Sequence, residues 1–392
     1  MTKKIKVGIL STFYGNYNYG GKLQAYALTR YLNQNGCDAM QVQYSQSNKH
    51  KKVSAVKRMG KMLRSSDYRH AVCQTLYGKC LAGASENMKI RKAAFERFDE
   101  QIPHTQAVYS DDTIGETVPQ FDAFVCGSDQ IWNPGLTKKA YYLGFVPDGK
   151  GKFSYAASIA DEITMEWKQT YCASLSRLDA ISVREGKSQS VLQEMLDKKV
   201  SLTVDPTLLL DREEWTAAAS AQIVKEPYVF CYFLGYDRNM RQTAARIARK
   251  LGVKVVSIPH LLGTTRRFYP CDEGYGQERL YNVSPDEFLA LIRDAEYVFT
   301  DSFHATVLSL VFQKQFVVFG RTNHPGMASR MEDLLGMYDM QSRFCGWSSG
   351  KQVEMILADP IEYRDCYEKL ERRKAFSKEF LRRNLENMYG NG

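Results

Sequence analysis

The opening of the chain constrains the fold most. Ile5-Lys6-Val7-Gly8-Ile9-Leu10 is a short apolar run, long enough for one buried strand. It passes into a glycine- and asparagine-rich turn, Tyr14-Gly15-Asn16-Tyr17-Asn18-Tyr19-Gly20-Gly21, and then into residues 23–32, where apolar side chains recur at helical spacing. Strand, glycine turn and helix make the first half of a βαβ unit, which commits the chain to a parallel sheet with crossover helices. The turn lacks the G-x-G-x-x-G spacing of dinucleotide folds, so NAD is not expected.

The same alternation continues along the chain. Residues 42–44, 121–126, 153–158, 181–184 and 203–210 read as strands or strand ends, with a helix around 174–178. A second series starts at Tyr228, with strands predicted at 228–233, 253–258, 297–299 and 316–319. Helices are predicted near 240–251, 285–293, 306–312 and 329–335, and a charged helix at 361–388. The reading is therefore α/β, with two Rossmann-like doubly wound domains facing a cleft. An N-terminal domain is expected at 1–205 (acceptor side), carrying a basic helical insertion at about 48–98. A C-terminal domain follows at 206–358 (donor side), and a last helix at 359–392 packs back across both. A length of 392 residues suits two domains.

Charge is unevenly placed. The chain carries +9 overall, while Lys49 to Arg97 holds 13 Lys/Arg against 3 Asp/Glu. Such a segment suits an anionic membrane surface, or is a solvated helical face. No nucleic-acid module appears, so nucleic acid is not expected. No run of about 18 apolar residues occurs, and the first residues do not read as a signal peptide. Nine scattered cysteines without a Cys-x-x-Cys pair point to reduced thiols in the cytoplasm, without a zinc site.

The junction Thr300-Asp301-Ser302-Phe303-His304-Ala305-Thr306 brings an acid, a hydroxyl and an imidazole to a helix N-terminus, where free N–H groups and the dipole favour an anion. His304 there can move protons or hold a phosphate near neutral pH. Asp301 and Ser302 either take part or cap the helix. In a doubly wound fold the loops at 14–21, 127–134, 184–188 and 300–306 all reach the cleft edge.

Seven segments together resemble the polysaccharide pyruvyl transferase family. They are Asn18-Tyr19-Gly20-Gly21 with Leu23-Gln24-Ala25-Tyr26, Gly127-Ser128-Asp129-Gln130-Ile131-Trp132-Asn133-Pro134, Ser154-Tyr155-Ala156-Ala157-Ser158, Ile181-Ser182-Val183-Arg184-Glu185, Val204-Asp205-Pro206-Thr207-Leu208-Leu209, Thr300-Asp301-Ser302-Phe303-His304, and Ser329-Arg330-Met331-Glu332-Asp333-Leu334-Leu335. The resemblance implies a fold like the two-domain GT-B glycosyltransferases. It also implies transfer of the pyruvyl group of phosphoenolpyruvate, without a further cofactor or metal, onto two hydroxyls of a sugar in a surface polysaccharide or its lipid-linked precursor. Where many members carry Arg-x-His, this chain has Ser302-Phe303-His304, so donor charge has to come from elsewhere.

On that footing His304 and Asp301 are the expected catalytic pair, with Asp301 orienting the imidazole or accepting a sugar proton. Arg184, Arg330 and Ser302 are expected on the donor, since a planar guanidinium grips carboxylate and phosphate in bidentate fashion. Asp129, Gln130, Trp132 and Asn133 supply carboxylate, amide and aromatic contacts for the acceptor, with Trp132 either a platform or a core residue. Gly20 and Gly21 let the backbone approach a ligand or simply make the turn. The second reading is a GT-B-type glycosyltransferase using a nucleotide sugar, bound at the 234–238 turn. The cellular place expected is the cytoplasm, at the inner membrane face if residues 49–97 dock on lipid.

Overall fold

The computed structural model describes residues 4–45, 83–135, 137–160, 163–259, 270–272, 274–321, 325–346 and 350–389, together with residues 72, 76 and 80. Its first half is built on β1 (Ile5–Leu10), β2 (Cys37–Gln41), β3 (Ala123–Cys126) and β4 (Gly151–Ser154), all parallel, in the order β2-β1-β3-β4. The parallel pair β5 (Ile181–Val183) and β6 (Val200–Leu202) continues this sheet through bridges Phe153–Ala180 and Ala157–Val183. At the opposite edge Gln41 and Tyr44 bridge His104 and Tyr109.

The second half holds β7 (Tyr228–Tyr232), β8 (Lys254–Ser257), β9 (Glu278–Arg279), β10 (Tyr297–Thr300), β11 (Gln315–Phe319) and β12 (Phe344–Cys345). Their order is β12-β11-β10-β7-β8-β9, every pair parallel. The strand order reverses between β7 and β10, and between β1 and β3 in the first half. Doubly wound sheets open their ligand crevice at such switch points. Strands buried on both faces need apolar side chains at consecutive positions. Accordingly Tyr228-Val229-Phe230-Cys231-Tyr232 is buried throughout.

Helices α1 (Tyr19–Gln34), α2 (Ala84–Asp99), α3 (Met165–Leu175) and α4 (Gly186–Met195) accompany the first sheet. The second has α5 (Arg212–Ala218), α6 (Arg238–Leu251), α7 (Pro285–Asp294), α8 (Phe303–Val311), α9 (Pro325–Gly336) and α10 (Gly350–Ala358). Residues 42–44, expected as the second strand, extend β2 (Cys37–Gln41): Val42 N–H still donates to the Ile9 carbonyl at 2.8 Å, and Tyr44 bridges Tyr109. The helix expected at 174–178 ends there instead, spanning Met165–Leu175.

One apolar cluster runs through both halves, from Val7, Ile9 and Leu23 to Phe230, Val298 and Leu308. Tyr19, at the start of α1, crosses the boundary. Its ring stacks on Phe288 with centroids 4.4 Å apart, and its hydroxyl donates to the Val283 carbonyl at 2.9 Å. The closing helix α11 (Tyr363–Tyr389) begins on the second half, where the Tyr363 and Tyr367 hydroxyls reach carbonyls of Ser309 and Val311. It ends on the first, with Ser377 accepting from Val204 N and Phe380 packed on Phe153 and Tyr155.

Among the described residues no helix is long and apolar enough to cross a membrane. Most of the basic segment at 49–97 lies outside the described residues. Its final part is α2, where Arg91 is buried rather than solvated, its guanidinium 4.8 Å from the Tyr19 ring centroid. Lys89 and Lys92 pair with Glu86 and Glu96 on the helix surface.

Candidate active site

Strand β10 ends in a turn that Thr300 secures: its hydroxyl donates to the Tyr232 carbonyl at 2.6 Å and accepts Ser302 N–H at 3.0 Å. Ser302 is the N-cap of α8, its Oγ accepting from Ala305 N. Asp301 is buried, and its carboxylate accepts Leu234 N–H at 2.6 Å and Gly235 N–H at 2.7 Å, with Arg321 Nε 3.1 Å away. Both residues are therefore engaged in holding the switch point together. Backbone N–H groups of Leu234 and Gly235 hold the Asp301 carboxylate, and that of Ala305 holds the Ser302 hydroxyl.

His304 occupies the first turn of α8 and is only 7% exposed. The carboxylate beside it comes from the other half. Asp205 Oδ2 is 3.6 Å from His304 Nε2, long for a hydrogen bond but an ion-pair distance when the ring is protonated. Among the described residues Nε2 has no hydrogen-bond partner. Gly20 packs directly against the imidazole: a Cβ built there would lie 2.7 Å from Cε1 and closer still to Nδ1. The first turns of α1 and α8 thus meet at this ring. The close approach expected of Gly20 is to His304, and Gly21 similarly makes room for the Asn16 side chain.

Arg184, at the end of β5, is the hub of the first half. Its guanidinium pairs with Asp205 Oδ2 at 2.6 Å, Asp129 Oδ1 at 3.2 Å and Glu185 Oε1 at 3.2 Å, while its face lies 4.2 Å from the Phe303 ring centroid. Its side chain is 1% exposed. Burial alone would lower the Arg184 pKa, but Asp205, Glu185 and Asp129 outweigh it and raise it. Burial would likewise raise Asp205, yet the neighbouring His304 and Arg184, with the Thr207 hydroxyl, hold it well below the usual carboxylate range. Asp129 is also held low, mainly by Arg184 against the cost of burial. Glu185 accepts from Ser158 and Ser188. Each guanidinium nitrogen of Arg184, the expected donor clamp, is thus paired with a carboxylate of its own half.

Arg330, on α9, is buried beside this cluster, and burial followed by repulsion from Arg184 pulls its pKa down to about 10. It stays charged at neutral pH. On the same helix Asp333 accepts Gly186 N–H at 2.6 Å, so a carboxylate from the second half caps the N-terminus of α4.

The acceptor set is brought together only in part. Asp129 adopts a left-handed backbone (φ 64°) and faces Arg184 and Thr12. Trp132 is wholly buried, its indole N–H bonded to the Tyr141 carbonyl at 3.2 Å. It is a core residue, not a platform. Gln130 and Asn133 bond each other, and Asn133 also accepts Gly135 N–H, so they shape their own loop.

Sequence reading missed Asp205 and Arg321. Asp205 was legible only as part of the family segment Val204–Leu209, with no role assigned, although an acid just past a strand on the carboxyl edge is a signal. Arg321 stands two residues beyond a correctly read strand, β11, that neighbours β10.

A family model described as polysaccharide pyruvyl transferase matches residues 18–323. No curated protein matches the sequence significantly. UDP-N-acetylglucosamine 2-epimerase from Rickettsia bellii is similar in structure, with TM-score 0.53 at 10% identity over 98% of this chain and 97% of that one. UDP-GlcNAc 2-epimerase from Neisseria meningitidis, solved bound to UDP-GlcNAc, gives TM-score 0.52 at 12% identity over 98% of this chain and 100% of that one. At such identities the likeness is one of fold, and the fold is GT-B-like.

Proposed function

The chain belongs to the polysaccharide pyruvyl transferase family, a family of transferases, and from that membership we propose that it moves the pyruvyl group of phosphoenolpyruvate onto two hydroxyls of a sugar, forming a ketal. One juxtaposition carries the reading: His304 of the second half stands beside Asp205 of the first, where the N-termini of α1 and α8 meet. A buried imidazole whose Nε2 makes no hydrogen bond among the described residues, with a carboxylate 3.6 Å away, is equipped to carry a proton, and two helix starts favour an anionic donor.

The reaction needs both. Carbon 3 of the enol gains a proton and carbon 2 becomes electrophilic. A sugar oxygen bonds carbon 2 as its proton leaves. The bond from carbon 2 to the phosphate oxygen breaks, and the second sugar oxygen bonds carbon 2 and loses its proton. Two protons leave the sugar, one ends on carbon 3 and one on phosphate, so nothing is oxidised or reduced. In this scheme His304 handles protons, and Asp205 orients its ring and balances its charge. Arg184 holds Asp205 and Asp129 in place, and Arg330 contributes positive potential on the donor side.

A nucleotide-sugar glycosyltransferase would need the 234–238 turn for its diphosphate. Leu234 and Gly235 N–H already bond Asp301, and Arg241 bonds the Gly235 carbonyl at 2.8 Å, which disfavours that use.

The test pairs ligand binding with turnover. Thermal shift with phosphoenolpyruvate and with nucleotide sugars separates the two readings, since a ligand that binds the native state raises Tm. Stabilisation by nucleotide sugar alone overturns the proposal. Acceptor-dependent phosphate release that vanishes in His304→Ala supports it.

A further inference from the structure

We infer that Arg321 is the residue that grips the anionic group of the donor at the start of α8. This rests on the donor reading above and adds a binding residue that neither the motifs nor the family match points to. Arg330 feels the positive charge of both Arg184 and Arg321. Arg184 is consumed by Asp129, Glu185 and Asp205. Arg321 is differently placed.

The register Thr300–Val318 sets the chain leaving β11 beside the chain leaving β10, which carries Arg321 to Asp301, one residue before the cap of α8. Its Nη2 donates to the Asp301 carbonyl at 2.8 Å and lies 3.4 Å from Oδ1. The Asp301 carboxylate, however, is already taken by two shorter bonds from Leu234 N and Gly235 N. Although Arg321 Nε is 3.1 Å from Oδ2, that N–H is buried and without a hydrogen-bond acceptor among the described residues. A guanidinium has five N–H donors, and one buried without a partner is costly. The side chain is 11% exposed, sheltered yet reachable.

On the first turn of α8, His304 Nε2 is likewise buried without a hydrogen bond among the described residues, with Asp205 Oδ2 3.6 Å away. Ser302 is small, and its hydroxyl is spent on capping. Gly235 completes the arrangement: a Cβ there would lie 3.0 Å from Asp301 Oδ2 and 3.6 Å from Arg321 Cγ, so the missing side chain keeps this corner open. Arg321, held against Asp301, and the His304 ring thus both stand at the N-terminus of α8, each with a buried nitrogen that makes no hydrogen bond among the described residues, which suits a phosphate or carboxylate oxygen.

The test titrates phosphoenolpyruvate, inorganic phosphate and pyruvate into wild type, Arg321→Lys and Arg321→Met, with the Tm of each unliganded protein as the folding control. Arg321→Met should bind phosphoenolpyruvate about 30-fold or more weakly, and Arg321→Lys should fall between it and wild type. Acceptor KM should not move. Loss of phosphate binding in the variants supports a phosphoryl partner, and loss of pyruvate binding alone supports a carboxylate one. Should Arg321→Met fail to fold, Arg321→Gln keeps donors for Asp301 while removing the charge. Wild-type affinity in the folded variants overturns the inference and leaves the proposed function standing. If wild type itself ignores phosphoenolpyruvate but binds a nucleotide sugar, the proposed function falls instead.

Discussion

Gly20 and His304 touch across the two halves of the molecule, with no room for a methyl group between the α1 backbone and the imidazole ring. The second residue of one helix thereby fixes the ring on the second residue of another.

Gly20→Ala should push the imidazole away from Asp205. A misplacement of this size costs about 100-fold in kcat, and crowding costs about 1–3 kcal/mol of stability. Steady-state kinetics beside urea unfolding checks both. A folded Gly20→Ala protein with wild-type kcat would remove His304 from the reacting centre.

Arg184→Met leaves Asp129, Glu185 and Asp205 without their shared cation. Breaking a buried pair in this way costs about 3–5 kcal/mol, so the expected result is a large fall in unfolding midpoint. Arg184→Lys should also lose stability, because an ammonium cannot span three carboxylates in a planar fork. Unchanged stability with lost phosphoenolpyruvate affinity would return Arg184 to the donor site.

Acid should destabilise the fold through Asp205 and Asp129, whose folded-state pKa values are lowered. A lowered carboxyl pKa adds stability that is complete above the unfolded value of about 4 and is lost as pH falls through the folded value. Urea midpoints measured from pH 6 downward should therefore drop steeply below about pH 4. Asp205→Asn should be less stable at neutral pH and show a shallower acid limb. An acid limb as steep as wild type would assign the proton uptake to other groups.

Trp132→Phe should leave acceptor KM unchanged, since the indole never reaches the cleft. Trp132→Ala should cost about 3–5 kcal/mol, as a large cavity opens in the core. A rise in acceptor KM for the stable Phe variant would restore the platform role.

The fold was largely legible because strand burial writes itself into consecutive apolar residues. Tyr228–Tyr232 and Phe316–Phe319 can be read without knowing their neighbours. His304 was legible too, through a strand-to-helix junction whose physics is local. Asp205 was not, because its meeting with His304 depends on how two halves pack, and no periodicity within either half encodes that. Trp132 illustrates a different limit: an aromatic residue in a polar loop has the same composition signature whether it stacks on sugar or fills the core. The carboxylate partners of Arg184 were not legible either, because nothing local reveals that Asp129 and Asp205 converge on it.

The helix α11 is fastened to the second half by its first turns and to the first half by its later ones. A rod held at both ends permits twist about its own length far more readily than separation. The two halves should accordingly stay together and unfold as one cooperative unit.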